Sequence, residues 1–142
     1  EAGRRVTASG MKLSMMIILG LAGAEGSERH ALATAKAINI IKPTHLSALC
    51  LMLYRGSELL EQYEAGKFNP LSPAGLMREL KLIIENIDLP ADRHCLFRSN
   101  HVSNYVQLAA TLPHDKQRLL CDIDYSIAQL SKLKSWDVYN YN

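Results

Sequence analysis

The chain has 142 residues, 48% of them hydrophobic and 21% charged, with a formal net charge of +2 at pH 7. That length fits one ordinary domain around one core, and the composition is that of a globular protein. No apolar run approaches the ~18 residues that a membrane span needs, and neither charge sign gathers into a block suited to a phosphate backbone, so neither a membrane nor a nucleic-acid partner is expected.

Residues 1–10, EAGRRVTASG, read as the end of a helix closed by Gly10, a residue suited to a left-handed C-terminal cap. Arg4, Arg5 and Lys12 around it form the most basic cluster and read as solvated charges near a strand start. MKLSMMIIL follows, a short run bounded by turn signals and apolar on both faces, which predicts a buried parallel strand. Ser27 is a good N-cap with Glu28 in the first turn, and Ala31, Ala35, Ile38 and Ile41 recur at helical spacing until Pro43. HLSALCLML, from His45 to Leu53, repeats the strand pattern, so the three elements form a βαβ unit with a right-handed crossover.

A short helix from Ser57 to Ala65 ends at Gly66, and Ser72 with Pro73 starts another whose buried face is Leu76, Leu80, Ile83 and Ile87. A third strand is expected at His94 to Phe97, then a polar loop, RSNHVSNY. The last helix is expected from about Pro113, with Leu119, Ile123, Ile127, Leu130 and Leu133 on one stripe, and residues 135–142 read as a frayed tail. The predicted order over residues 11–134 is β-α-β-α-α-β-α, a single α/β unit of parallel strands alternating with helices. Both outer strands of such a sheet would be unpaired, which points to missing strands and to self-association through the edges.

Ligands of α/β folds bind at the carboxyl ends of the strands, which singles out Gly20 to Glu25, Leu53 to Ser57 and Phe97 to His101. The Gly20 and Gly23 turn allows backbone to approach a flat or phosphorylated ligand, and it equally serves only to reverse the chain. The RSNHVSNY loop crowds Arg98, Ser99, Asn100, His101, Ser103 and Asn104 together. These side chains form either a polar network that ties the loop to the rim or, through Arg98, a carboxylate- or phosphate-binding group, with His101 able to carry a proton. A hydrolase built on Ser99 or Ser103 with His101 lacks a nucleophile elbow. His30, His45, His94 and His114 show no metal-ligand spacing, and Cys50, Cys95 and Cys121 include no C-x-x-C pair. Cys50 and Cys95 lie inside apolar runs and read as small buried hydrophobes in a reducing, cytoplasmic compartment, no secretory leader pattern being present.

In order along the chain, SMMIILGLAG, SERHALATAKAINIIKPTHLSALCLMLYRGSEL, FRSNHVSNY and LPHDKQRLLCDID resemble an oxygen-sensitive radical S-adenosylmethionine family, and the resemblance covers nearly all of the chain. It implies the C-terminal part of a partial (βα)6 TIM-type barrel. It also implies a [4Fe-4S] cluster held by a C-x-x-x-C-x-x-C loop, which these residues do not contain, and reductive cleavage of S-adenosylmethionine to a 5′-deoxyadenosyl radical. The family's fifth-strand motif, G-x-I-x-G-x-x-E, maps with Ile18 and Gly20 matching, Met16 in place of the first glycine and Gly23 in place of the glutamate. The resemblance assigns Ile18, Gly20, Gly23 and the backbone of Leu51, Met52 and Leu53 to the adenine side of the cofactor. It assigns Arg98, Asn100, His101 and Asn104 to a small-molecule substrate, and it implies that this segment alone retains neither cofactor. The expectation is therefore a fragment of a radical S-adenosylmethionine oxidoreductase that supplies positioning only. The alternative is a non-catalytic α/β binding or scaffold domain that recognises an anionic partner through Arg98 and His101.

Overall fold

The computed structural model describes residues 1–132, so the tail expected over 135–142, and Leu133 with it, lies outside the described residues. Helix α1, Ala2–Ala8, is followed by Gly10 at a φ of +80°, a left-handed conformation in which a side chain would be strained. Strand β1, Ser14–Leu19, turns through Gly20 into helix α2, Gly23–Ile41. The N-cap of α2 is Ala22 and not the expected Ser27. The helix starts early because its first turn is satisfied from outside: the Ala24 N–H donates to the Asn69 carbonyl at 2.7 Å, while Ser27 sends its hydroxyl inward to Glu79. At the other end Lys42 takes a φ of +53° ahead of Pro43, and the Thr7 hydroxyl donates to the Ile41 carbonyl at 2.9 Å, docking α1 on α2.

Strand β2, His45–Cys50, stops short of the expected Leu53. Helix α3, Glu58–Glu64, is capped by Ser57, which accepts from the Leu60 N–H, and helix α4, Pro73–Asn86, by Ser72, which accepts from the Gly75 N–H at 3.1 Å. Strand β3, Cys95–Ser99, is followed by a strand that the sequence reading missed, β4, Leu108–Leu112. Its alanines carry little strand propensity, and Leu108, Ala110 and Leu112 gain their burial from tertiary packing, by pairing with β3 and under the helix that follows. Helix α5, Lys116–Leu130, consequently starts after Asp115 rather than near Pro113. Among the described residues no helix is long and apolar enough to cross a membrane.

The strands form one open sheet in the order β1-β2-β3-β4, with the first three parallel and β4 antiparallel to β3. The β3 edge, expected to be bare, is thus paired, and β1 and β4 are the outer strands. The crossover helices α2 and α4 pack on each other and α4 packs on α5, so all three cover one face. Between them and the sheet lie the fully buried Leu19, Ile38, Leu46, Leu80, Ile83, Phe97, Leu112, Leu119 and Ile123.

The opposite face is uncovered among the described residues. Strand side chains alternate, so Ile17, Leu19, Ala48 and Phe97 meet the helices while Met16, Ile18, Ser47, Leu49, Leu96 and Arg98 point away. Met16 is 71% exposed and Ile18 41% exposed. The expectation of strands buried on both faces is corrected here, since β1 is apolar on both but helices pack on only one.

The corner from β4 to α5 is held by Asp115, whose carboxylate accepts from the Thr111 N–H at 2.7 Å and lies 3.3 Å from Arg118 Nη2. The Thr111 N–H, with help from Arg118, holds this carboxyl below its ordinary value. A carboxyl depressed in the native state stabilises the fold above its unfolded pKa, and that stability is lost as the pH falls through the native value. Acid unfolding followed by circular dichroism should therefore show a shallower loss of stability below about pH 4 for Asp115→Asn than for the parent chain. Identical acid limbs would rule out this role for the corner.

Candidate functional site

The carboxyl ends of the parallel strands open onto the bare face, where the structure forms a cleft of ≈ 160 Å³. Strands β1 and β2 contribute Ile18 and Leu49, which lie opposite each other in register. The segment after β2 contributes Leu51, Met52 and Tyr54, and the loop after β3 contributes His101 and Ser103. Pockets for drug-sized molecules run to ~300–1,000 Å³, so this one suits a single ring system laid on an apolar surface. The Tyr54 hydroxyl donates to Met52 Sδ at 3.4 Å, which ties two of the lining side chains together.

Of the residues singled out from the sequence, the cleft brings together Ile18, Leu51, Met52, Tyr54, His101 and Ser103. Gly20, Gly23 and Leu53 are placed elsewhere. Gly20, at φ +82°, turns its N–H inward to Glu79, and a Cβ there would meet Leu76 Cδ2 at 2.7 Å. Gly23 is buried at the start of α2, where a Cβ would lie 3.1 Å from the Asn69 carbonyl oxygen, and Leu53 is buried. The Leu51 N–H already donates to the Leu19 carbonyl at 2.9 Å. Asn100 is exposed, and Arg98, on the bare face, donates from Nη1 to the Phe97 carbonyl at 2.7 Å.

Asn104 has a different position from the other loop residues. Its Nδ2 donates to the Ala48 carbonyl at 2.8 Å and to Ser99 Oγ at 2.9 Å, while its Oδ1 accepts from the Cys50 N–H at 2.8 Å. Ser103 Oγ lies 3.4 Å from the same Oδ1. The amide thus uses both of its donors and one acceptor site. The β2–β3 ladder ends with Ser47 opposite Arg98, so the Asn104 side chain takes the place of the next peptide of β3. Ser99 is 1% exposed and donates to the Val106 carbonyl at 3.3 Å, so it belongs to the same structural network. Among the described residues no carboxylate bonds to His101, which leaves a hydrolase reading of Ser103 and His101 without its orienting acid.

Glu79 was overlooked in the sequence. It is 2% exposed, and its carboxylate accepts from the Gly20 N–H at 2.8 Å, from the Ser27 hydroxyl, and from His30 Nδ1 at 3.1 Å, the imidazole hydrogen necessarily lying on that nitrogen. A signal was available: Glu79 sits on the stripe of Leu76, Leu80 and Ile83, where a charge is out of place unless paired inside. This carboxylate clamps α2, α4 and the turn that leaves Ile18 at the rim. Glu79→Ala leaves three donors without an acceptor and should lower stability in urea unfolding by ~3 kcal/mol, while Glu79→Gln, which keeps an acceptor oxygen, should lose less. An unchanged midpoint for both variants would remove the clamp.

The cysteines do not fit a [4Fe-4S] cluster. Cys50 ends β2, Cys95 begins β3, and the register sets them about 20 Å apart along the sheet, while Cys121 is exposed on α5. Burial pushes the Cys50 thiol up to about 11, with the Glu79 charge adding to it against a hydrogen bond from the Tyr105 backbone, and burial alone pushes Cys95 up to about 11. Near neutral pH a thiol reagent should label one of the three cysteines in the native chain and all three after denaturation. Rapid native labelling of a second would contradict this burial. Compared with protein-family models, with curated proteins and with solved structures, the chain finds no match.

Proposed function

We propose that this chain forms the carboxyl-terminal part of a partial (βα)6 barrel of the radical S-adenosylmethionine type, with the adenine ring received in the cleft at Ile18 and Leu49. The observation that carries the reading is the one-sided cover of a singly wound sheet. Barrels place parallel strands side by side in chain order, set the helices outside and turn the other face to the lumen. Doubly wound sheets put helices on both faces. Here β1, β2 and β3 are parallel in chain order, α2 and α4 share one face, and the bare face carries Met16, Ile18, Leu49 and Leu96. The antiparallel β4 is an addition at the far edge.

When bound, S-adenosylmethionine supplies the 5′-deoxyadenosyl group of the radical chemistry, and the protein's part is orientation and exclusion of water. Ile18 and Leu49 would pack against the adenine ring, with Met52 and Tyr54 beside it. Arg98 would meet an anionic group of the substrate from the bare face. The cluster ligands belong to residues other than these three cysteines.

Titration of the isotopically labelled chain with adenosine tests the reading directly. Amide shifts are expected at Ile18, Leu49, Leu51, Met52 and His101, with a Kd on the order of 1 mM for a half-formed site. Ile18→Glu, at an exposed position, should abolish them with the fold intact. Shifts spread over the surface, or none at all, would overturn the adenine site. A coding sequence upstream of Glu1 without C-x-x-x-C-x-x-C would overturn the enzyme.

A further inference from the structure

His101 lines the cleft with Ile18, Leu49 and Met52, and its ring is held by its own loop. The Ser103 N–H donates to Nδ1 at 3.1 Å, and Ser103 Oγ lies 2.9 Å from the same nitrogen. A backbone N–H can only donate, so Nδ1 must offer its lone pair and the ring hydrogen must reside on Nε2. The loop thereby selects one tautomer. Its support continues into the sheet, because Ser103 Oγ also accepts from the Cys50 N–H at 3.2 Å and the neighbouring Asn104 is bonded to β2. No described residue accepts from Nε2.

We propose that His101 is the specificity-determining residue of the cleft, its Nε2–H donating to an acceptor nitrogen in the ring of a bound purine. The inference rests on the adenine reading above and adds the atom that is recognised. Ile18, Leu49, Leu51 and Met52 grip any flat apolar surface without distinguishing one ring from another. A fixed donor beside them does distinguish, because a ring with C–H in place of the nitrogen leaves that donor unpaired.

The test compares adenosine with 1-deaza-, 3-deaza- and 7-deazaadenosine, each lacking one ring nitrogen, on the parent chain and on His101→Ala. One analogue should bind the parent about tenfold more weakly than adenosine does. His101→Ala should bind adenosine about tenfold more weakly and should no longer separate it from that analogue. On the ligand-free chain, imidazole nitrogen shifts should place the hydrogen on Nε2. Equal affinity for all four compounds, or a ring protonated on Nδ1 alone, would overturn the role of His101 and leave the adenine reading standing. Failure of adenosine to bind the cleft would overturn both.

Discussion

Backbone groups at the end of a β-ladder must be satisfied even where the neighbouring strand has turned away, and this requirement shapes the rim of the sheet. Pairing between β2 and β3 ends at Ser47 and Arg98, which leaves the Ala48 carbonyl and the Cys50 N–H without a strand partner. The Asn104 amide supplies one donor and one acceptor at 2.8 Å each and so stands in for a peptide unit. Glu79 does the same for Gly20, where β1 has given way to a turn. Both walls of the cleft thus depend on a side chain that substitutes for backbone: Asn104 holds the loop that carries His101 and Ser103, and Glu79 holds the turn that follows Ile18.

The one-sided cover of the sheet follows from its winding. Two crossovers in the same direction bring α2 and α4 onto one face, and the core forms there from Ile38, Leu80, Ile83 and the inward residues of the strands. The other face keeps Met16 and Ile18 exposed beside Leu49 and Leu96. An apolar surface of this kind is characteristic of a binding face or of a barrel wall. It makes the cleft at its rim apolar in character, so polar discrimination falls to the few donors and acceptors that the loop brings in.

The buried polar groups are arranged in keeping with their cost. An unpaired carboxylate inside the protein would be strongly unfavourable, and Glu79 meets three donors, two from α2 and one from the turn after β1. Its charge in turn discourages ionisation of Cys50, which is already buried. Electrostatics here reinforces the inertness of the buried thiol.

What the sequence determined by itself is the set of features encoded within about one helical turn. Ser57 and Ser72 cap α3 and α4, Gly10 takes the left-handed conformation after α1, and the stripe of Leu119 and Ile123 marks α5. Ser27 carries the same local signal as Ser72, yet its hydroxyl is drawn to Glu79, 52 residues away, and α2 starts before it. Strand β4 was illegible for a related reason, since its burial exists only against β3 and α5, which the local sequence does not reveal. In the site, Tyr54 and His101 were legible as residues near strand ends, and Ile18, Leu51 and Met52 entered only through the resemblance, whereas Leu49 joins them through register. Gly20, Gly23 and Leu53 face the interior, and Asn104 bonds to Cys50 across 54 positions. Which face is covered, and which side chain replaces a missing backbone partner, depend on groups distant in sequence, so only the tertiary structure decides them.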